Sequence, residues 1–189
     1  MSNTLVLLFH PDLKQSKANA ALAIAAANVD GVNVVDMQAA YPQGLDLFRD
    51  GEREAARLLE ADRIVLQFPV QWYSTPPLLK AWQDAVLTRM FYIAYEEEGH
   101  RLGGTPLMLA ATAGNVPEAY GPTGANGFTM DALFAPLRAT AHRCGLVWSE
   151  PFLLYRANKL SPVELELAAA GYAEALTKWI AETSAREVA

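Results

Sequence analysis

The chain is poor in the residues that build staples, metal centres and membrane spans. Among its 189 residues there is a single cysteine, Cys144, so no internal disulfide can form. Cys144 lies in a helical pattern just before Gly145, where a small buried hydrophobe is the expected reading and a reactive thiol is not. The three histidines, His10, His100 and His142, are far apart and lack the spacing that would put two ligands on one helix face, which argues against a metal site. Lys and Arg number 15 against 21 Asp and Glu, a net charge of −6. A surface that tracks phosphates needs the opposite balance, so no nucleic acid is expected as a partner. No apolar run approaches the roughly 18 residues of a membrane span, and the first residues lack the basic and cleavable regions of a secretory signal. A cytoplasmic location is expected. Ser74 has no Gly-x-Ser-x-Gly context, so a hydrolase elbow is not expected either.

What is present is an alternation. Five short apolar or β-branched runs, 5–9, 32–35, 63–67, 107–111 and 146–148, are separated by longer stretches of helical period. Such alternation predicts one domain over residues 1–189, with a parallel sheet covered by helices on both faces. Right-handed crossovers reduce the arrangements to a few, and the expected one is an α/β three-layer sandwich of flavodoxin-like type, its five parallel strands in the order 2-1-3-4-5. Helices are expected near 16–28, 51–59, from Pro76-Pro77 with Thr75 as cap, over 131–143, and after Ser161-Pro162. The connection from Met90 to Thr105, with Phe91, Tyr92 and Tyr95, is predicted to be a long insertion that walls a pocket.

In this arrangement ligands bind where the first, third and fourth strands end. The first loop runs from His10 to Ser16, Lys17, Ala18 and Asn19 and opens a helix, so free amides, a hydroxyl and the positive helix end form an anion site suited to a flavin phosphate. Ser16 as a simple helix cap is the plain alternative. The second loop, Pro69-Val70-Gln71-Trp72-Tyr73, is rigid and aromatic, with amides for the pyrimidine edge of a flat ring and two rings to stack on it or exclude water. Packing of Trp72 and Tyr73 on a neighbouring subunit is a compatible alternative. The third loop, Thr112-Ala113-Gly114-Asn115, lets backbone approach a ligand at Gly114 and offers Thr112 toward the flavin N1/O2 edge. Tyr120 follows it.

These residues resemble those of the flavodoxin-like NAD(P)H:quinone oxidoreductases, most closely their short bacterial members, among them the ancillary subunits of glutathione-gated potassium efflux systems. The resemblance rests on His10-Pro11 with Ser16 to Asn19, on Ala61-Asp62-Arg63-Ile64-Val65 leading to Pro69 through Ser74, and on Pro77-Leu78-Leu79-Lys80-Ala81-Trp82 with Asp84. It implies a homodimer with FMN, or alternatively FAD, at each subunit interface. NADPH or NADH would give a hydride to flavin N5, and a small-molecule quinone would then take two electrons in the same pocket. It implies His10, Ser16, Lys17, Ala18 and Asn19 at the flavin tail, Pro69, Val70, Gln71, Trp72 and Tyr73 at the ring, and Thr112, Ala113, Gly114 and Asn115 at its far edge. Tyr120 matches a family Tyr that works with a His six residues later. Asn126 stands at that place here and cannot carry a proton. The alternative the resemblance offers is a regulatory subunit in peripheral contact with a membrane potassium efflux transporter.

Overall fold

A computed structural model describes residues 3–183. Parallel strands β1 (Thr4–Leu8), β2 (Val32–Asp36), β3 (Arg63–Pro69), β4 (Pro106–Thr112) and β5 (Val147–Trp148) form one sheet in the order β2-β1-β3-β4-β5. The expected fold and strand order are therefore present. A sixth strand not foreseen from the sequence, β6 (Phe152–Leu154), also runs parallel to β4, pairing with Ala110–Thr112 while β5 pairs with Pro106 and Leu107. β5 and β6 are two pieces of one edge, separated by a stretch containing Pro151, which has no N–H for a ladder.

Strand alternation assigns the two faces. Leu5, Leu7, Ile64, Leu66, Phe68, Leu107 and Leu109 enter one core with α3 (Leu47–Leu59), α4 (Pro77–Trp82) and α6 (Ala135–Arg143). Val6, Val65, Met108 and Ala110 enter the other, against α1 (Lys17–Ala27) and α7 (Pro162–Glu182). Period two along buried strands thus divides a continuous apolar run between two layers of helices. In α1 the sheet-facing side chains are Ala18, Leu22 and Ala26, whereas Ile24 points to solvent. A buried hub crosses the first layer: Glu54 of α3 is fully buried, accepts from Trp82 Nε1 at 3.2 Å and from the Tyr41 hydroxyl, and pairs with Arg57 at 2.7 Å. Tyr41 follows the short helix α2 (Met37–Ala40), so one carboxylate ties α2, α3 and α4.

Several boundaries differ from expectation. α3 begins at Leu47 because Asp46 caps it, accepting from Phe48 N and Arg49 N. Thr75 does not cap α4; Pro76 holds the N-cap position without a side-chain bond. The stretch expected as one helix over 131–143 is α5 (Met130–Leu133), capped by Thr129, then α6, with a break at Phe134 ahead of Pro136. A wide π-helical turn at Gln83–Leu87 continues α4, as expected of the helix from Pro76-Pro77, but residues expected as an insertion after Met90 are helical too: π-helical turns at Arg89–Ile93 and Tyr95–Gly99 lead into a tight turn at His100–Leu102. A Cβ on Gly99 would lie 2.3 Å from the Met90 carbonyl oxygen, so only glycine permits this coil to close.

Candidate functional site

The carboxyl ends of β1, β3 and β4 open into one cleft of about 330 Å³, lined by His10, Gln15, Ser16, Lys17, Ala18, Asn19, Pro69 and Thr112. All five first-loop residues predicted from the sequence are therefore brought together with one residue from each of the other two loops. The cleft is closed by residues the sequence reading missed, Ala157, Asn158, Leu160 and Leu165, which follow β6. Their only signal in the sequence was the apolar run Phe152-Leu153-Leu154 after Pro151.

The first loop turns because His10 Nδ1 accepts from Asp12 N at 3.1 Å and because Ser16 caps α1, its Oγ accepting from Asn19 N at 3.2 Å. The capping alternative for Ser16 thus holds, and its hydroxyl proton is still available to an anion in the cleft. The amides of Lys17 and Ala18, in the first turn of α1, have no intrahelical acceptor and carry the positive end of the helix dipole. Burial pushes the His10 imidazole below its ordinary pKa of 6.5, outweighing the opposing pull of Asp12 and Asp36. With Nδ1 accepting, Nε2 carries the ring proton.

Beneath this turn lies a buried polar chain. Gln67 of β3 donates from Nε2 to the Asn19 carbonyl at 3.0 Å, and Asn19 donates from Nδ2 to Thr112 Oγ1 at 3.0 Å. Each of the three is at most 3% exposed.

The aromatic loop is a tight turn. Gln71 and Ser74 exchange backbone bonds of 2.9 and 3.0 Å, and Trp72 and Tyr73 between them have φ of 47° and 64°. Positive φ at both central residues is the I′ type, normally built from Asn and Gly, and bulky side chains hold it only at a cost. Trp72 is 92% exposed, and Gln71 and Tyr73 are also exposed. These three stand at the rim and are not in the cleft lining. Val70 is half-buried, its N–H donated to Thr112 O at 2.8 Å.

In the third loop Ala113 is buried, its N–H is donated to Leu154 O at 2.8 Å and its carbonyl accepts from Ala157 N at 3.0 Å. The Ala113 N–H is therefore engaged within the protein and is not a donor toward the cleft. The cause is β6, which extends the ladder over it. Gly114 is exposed, and a Cβ there would come within 3.4 Å of Asn158 Nδ2. Asn115 turns its Oδ1 back onto Val116 N. Tyr120 is half-buried, and its ring packs on Tyr155 with centroids 5.6 Å apart. Burial raises the Tyr120 pKa above its ordinary value against the lowering effect of hydrogen bonds with the Asn115 backbone and the Asn126 side chain. Tyr155 was another residue not foreseen. Phe91, Tyr92 and Tyr95 do not wall this cleft: Phe91 and Tyr92 line a separate groove with Arg143 and Cys144, where the Arg143 guanidinium lies 5.6–5.8 Å from both rings.

A crevice at the carboxyl ends of adjacent parallel strands, closed on one side by a helix N-terminus, is that of a doubly wound α/β protein, and the free amides at the helix end suit an anion. The chain belongs to the family whose model is described as flavodoxin-like fold, which matches residues 2–180. It is 36% identical over 181 residues to the glutathione-regulated potassium-efflux system ancillary protein KefG of Cronobacter sakazakii, covering 96% of this chain and 94% of that protein. The crystal structure of general stress protein 14 from Treponema denticola in complex with FMN is similar, with a TM-score of 0.81, 31% identity and coverage of 95% of this chain and 98% of that one. An NADPH-quinone reductase from P. pentosaceus is similar with a TM-score of 0.75 and 26% identity, covering 92% and 96%. Among the described residues no helix is long and apolar enough to cross a membrane, and no cluster of three or more His, Cys, Asp or Glu could hold a metal ion.

Proposed function

We propose that this protein is a flavin-dependent oxidoreductase that carries an electron pair from NAD(P)H to quinones or similar flat acceptors, with FMN as its cofactor. The observation that carries this reading is the cleft itself, which joins the free amides of α1 to the ends of β3 and β4. The residues fit the group. Lys17 N and Ala18 N face an anion without having to break any bond, the Ser16 hydroxyl adds a donor, and Lys17 adds charge. A relative of the same fold holds FMN, and another is an NADPH-quinone reductase. When bound, the flavin would supply the hydride acceptor for the nicotinamide and the two-electron donor for the quinone.

The protein's own part is to position and to exclude water. Pro69 and the rigid turn from Gln71 to Ser74 would fix the ring's rim, with Trp72 and Tyr73 limiting how the acceptor lies. Tyr120 would donate its phenolic hydrogen bond to negative charge at the ring, held in place by Tyr155 and Asn126, as a tyrosine hydroxyl keeps its proton at neutral pH and burial favours this form further. The exposed Trp72 and Tyr73 fit coverage by a second copy in a homodimer. A cytoplasmic location follows from the same reading.

The test is the visible spectrum of the protein reconstituted with FMN under anaerobic conditions. Flavin absorbance should bleach on adding NADPH and return with a benzoquinone. Bound FMN that neither NADPH nor NADH can bleach would refute the oxidoreductase reading. A second reading, an ancillary subunit of a potassium efflux transporter, is favoured by the 36% identity to KefG over nearly the whole chain. It requires co-purification with a transporter's cytosolic domain, and failure of such a complex to form would remove it.

A further inference from the structure

A glutamine in the centre of a buried parallel strand needs a reason. Its neighbours on β3, Ile64, Val65, Leu66 and Phe68, are all apolar, and Gln67 is 0% exposed. Methionine would fill a similar volume without a polar group to desolvate. The amide is not even fully satisfied, because Oε1 finds no donor among the described residues. What it does make is one bond, from Nε2 to the carbonyl of Asn19. Its orientation is set by that contact, since the carbonyl accepts only and would repel Oε1. Asn19 is the third residue of α1, and its own N–H is held by the cap Ser16. Its side chain reaches on to Thr112 at the end of β4. One chain of hydrogen bonds therefore runs from the middle strand, through the first turn of α1, to the fourth strand.

We infer that Gln67 is a positioning residue for ligand recognition: it fixes the height of the first turn of α1 relative to β4, so that the amides of Lys17 and Ala18 and the Ser16 hydroxyl converge on one phosphate. Gln67 itself is not in the cleft lining and acts only through Asn19. The inference rests on the flavin reading above and assigns one residue's part in it. Fixed donors matter most for a compact, highly charged group, because a turn that shifts slightly loses several charge-assisted bonds together. A neutral ring held by other loops feels such a shift far less. The network should thus tune the preference for the phosphorylated flavin over the same flavin without phosphate.

The experiment is calorimetric titration of the full chain with FMN and with riboflavin. For the wild type, FMN binding much tighter than riboflavin is expected. Gln67→Met, which keeps the volume and removes the donor, should weaken FMN about tenfold while riboflavin changes less than about threefold. Equal weakening of both, or no weakening of FMN, would overturn the inference and leave Gln67 a structural residue. Should Gln67→Met not fold, Gln67→Leu removes the same donor from a residue outside the cleft lining and must show the same selective loss; any other pattern overturns the inference. A wild type that binds neither flavin would refute the flavin reading, and the inference with it. Wild-type binding of FMN without the selective loss in the variants would refute the inference alone.

Discussion

At the scale of single residues, the rim turn and the lone thiol have opposite characters. Trp72 holds a left-handed backbone while contributing almost no burial within the chain, so its conformation costs the monomer about 1 kcal/mol or more. Trp72→Asn, which adopts positive φ more readily, should raise the urea midpoint by an amount equivalent to about 0.5–1 kcal/mol and weaken self-association in sedimentation equilibrium. A lower midpoint at protein concentrations where the chain is monomeric would contradict the strain argument. Cys144 is buried at the end of α6, and burial pushes its thiol up from 9.0 to about 11. Because the folded pKa lies above the unfolded one, the neutral thiol contributes stability that is fully present below pH 9 and is lost as pH rises through 11. Iodoacetamide should therefore leave the native protein unmodified at pH 8 and label it rapidly in urea. Of these residues, the inert character of Cys144 was legible in the sequence from its helical context. The conformation of Trp72 was not, since bulky residues rarely occupy a turn of this kind.

At the scale of elements, the first helical layer depends on Glu54. It is wholly buried with bonds from Tyr41, Trp82 and Arg57, and Trp82 packs edge-on against Phe9 at 5.8 Å, immediately before the first site loop. Glu54→Ala would strand Arg57 and leave two buried donors unpaired, a loss of about 3–5 kcal/mol by chemical denaturation. A change below about 1 kcal/mol would mean the hub is dispensable. The coil after Met90 makes a second demand. Gly99→Ala forces a Cβ against the Met90 carbonyl and should destabilise the protein by about 2 kcal/mol or more, read as a lowered melting temperature. Patterning of the strands was legible because buried parallel strands are continuous apolar runs, and α7 was legible from Ser161-Pro162. The helical nature of the stretch after Met90 was hidden, because π-helical turns shift side chains off the 3.6-residue period and Phe91, Tyr92 and Tyr95 then read as loop aromatics. β6 was hidden because three residues are too few to show a period.

At the scale of the whole molecule, ligand linkage gives a direct check. If FMN binds the folded chain alone, a concentration 100 times its dissociation constant adds about 2.7 kcal/mol, which for a chain of this size raises the melting temperature by about 5–10 °C. No shift with FMN up to millimolar concentration would remove the flavin reading without any assay of activity. Net charge of −6 is compatible with an anionic ligand only because the cleft presents backbone amides and one helix end in place of a surplus of basic side chains.

The sequence by itself determined the layers, the strand order and the helix start that follows the first strand, because those follow from local periodicity and from cap chemistry. The tertiary structure decided which parts of the three loops meet. It put Ala157 and Asn158 in the cleft lining and Tyr155 against Tyr120 through β6, spent the amide of Ala113 on Leu154, moved Phe91 and Tyr92 to another groove, and joined Gln67, Asn19 and Thr112 across strands. Those are contacts between residues 35 to 93 positions apart or set by a two-part edge strand. Local pattern carries no record of them, since hydrogen bonds between distant polar side chains depend on register and packing that only the folded sheet fixes.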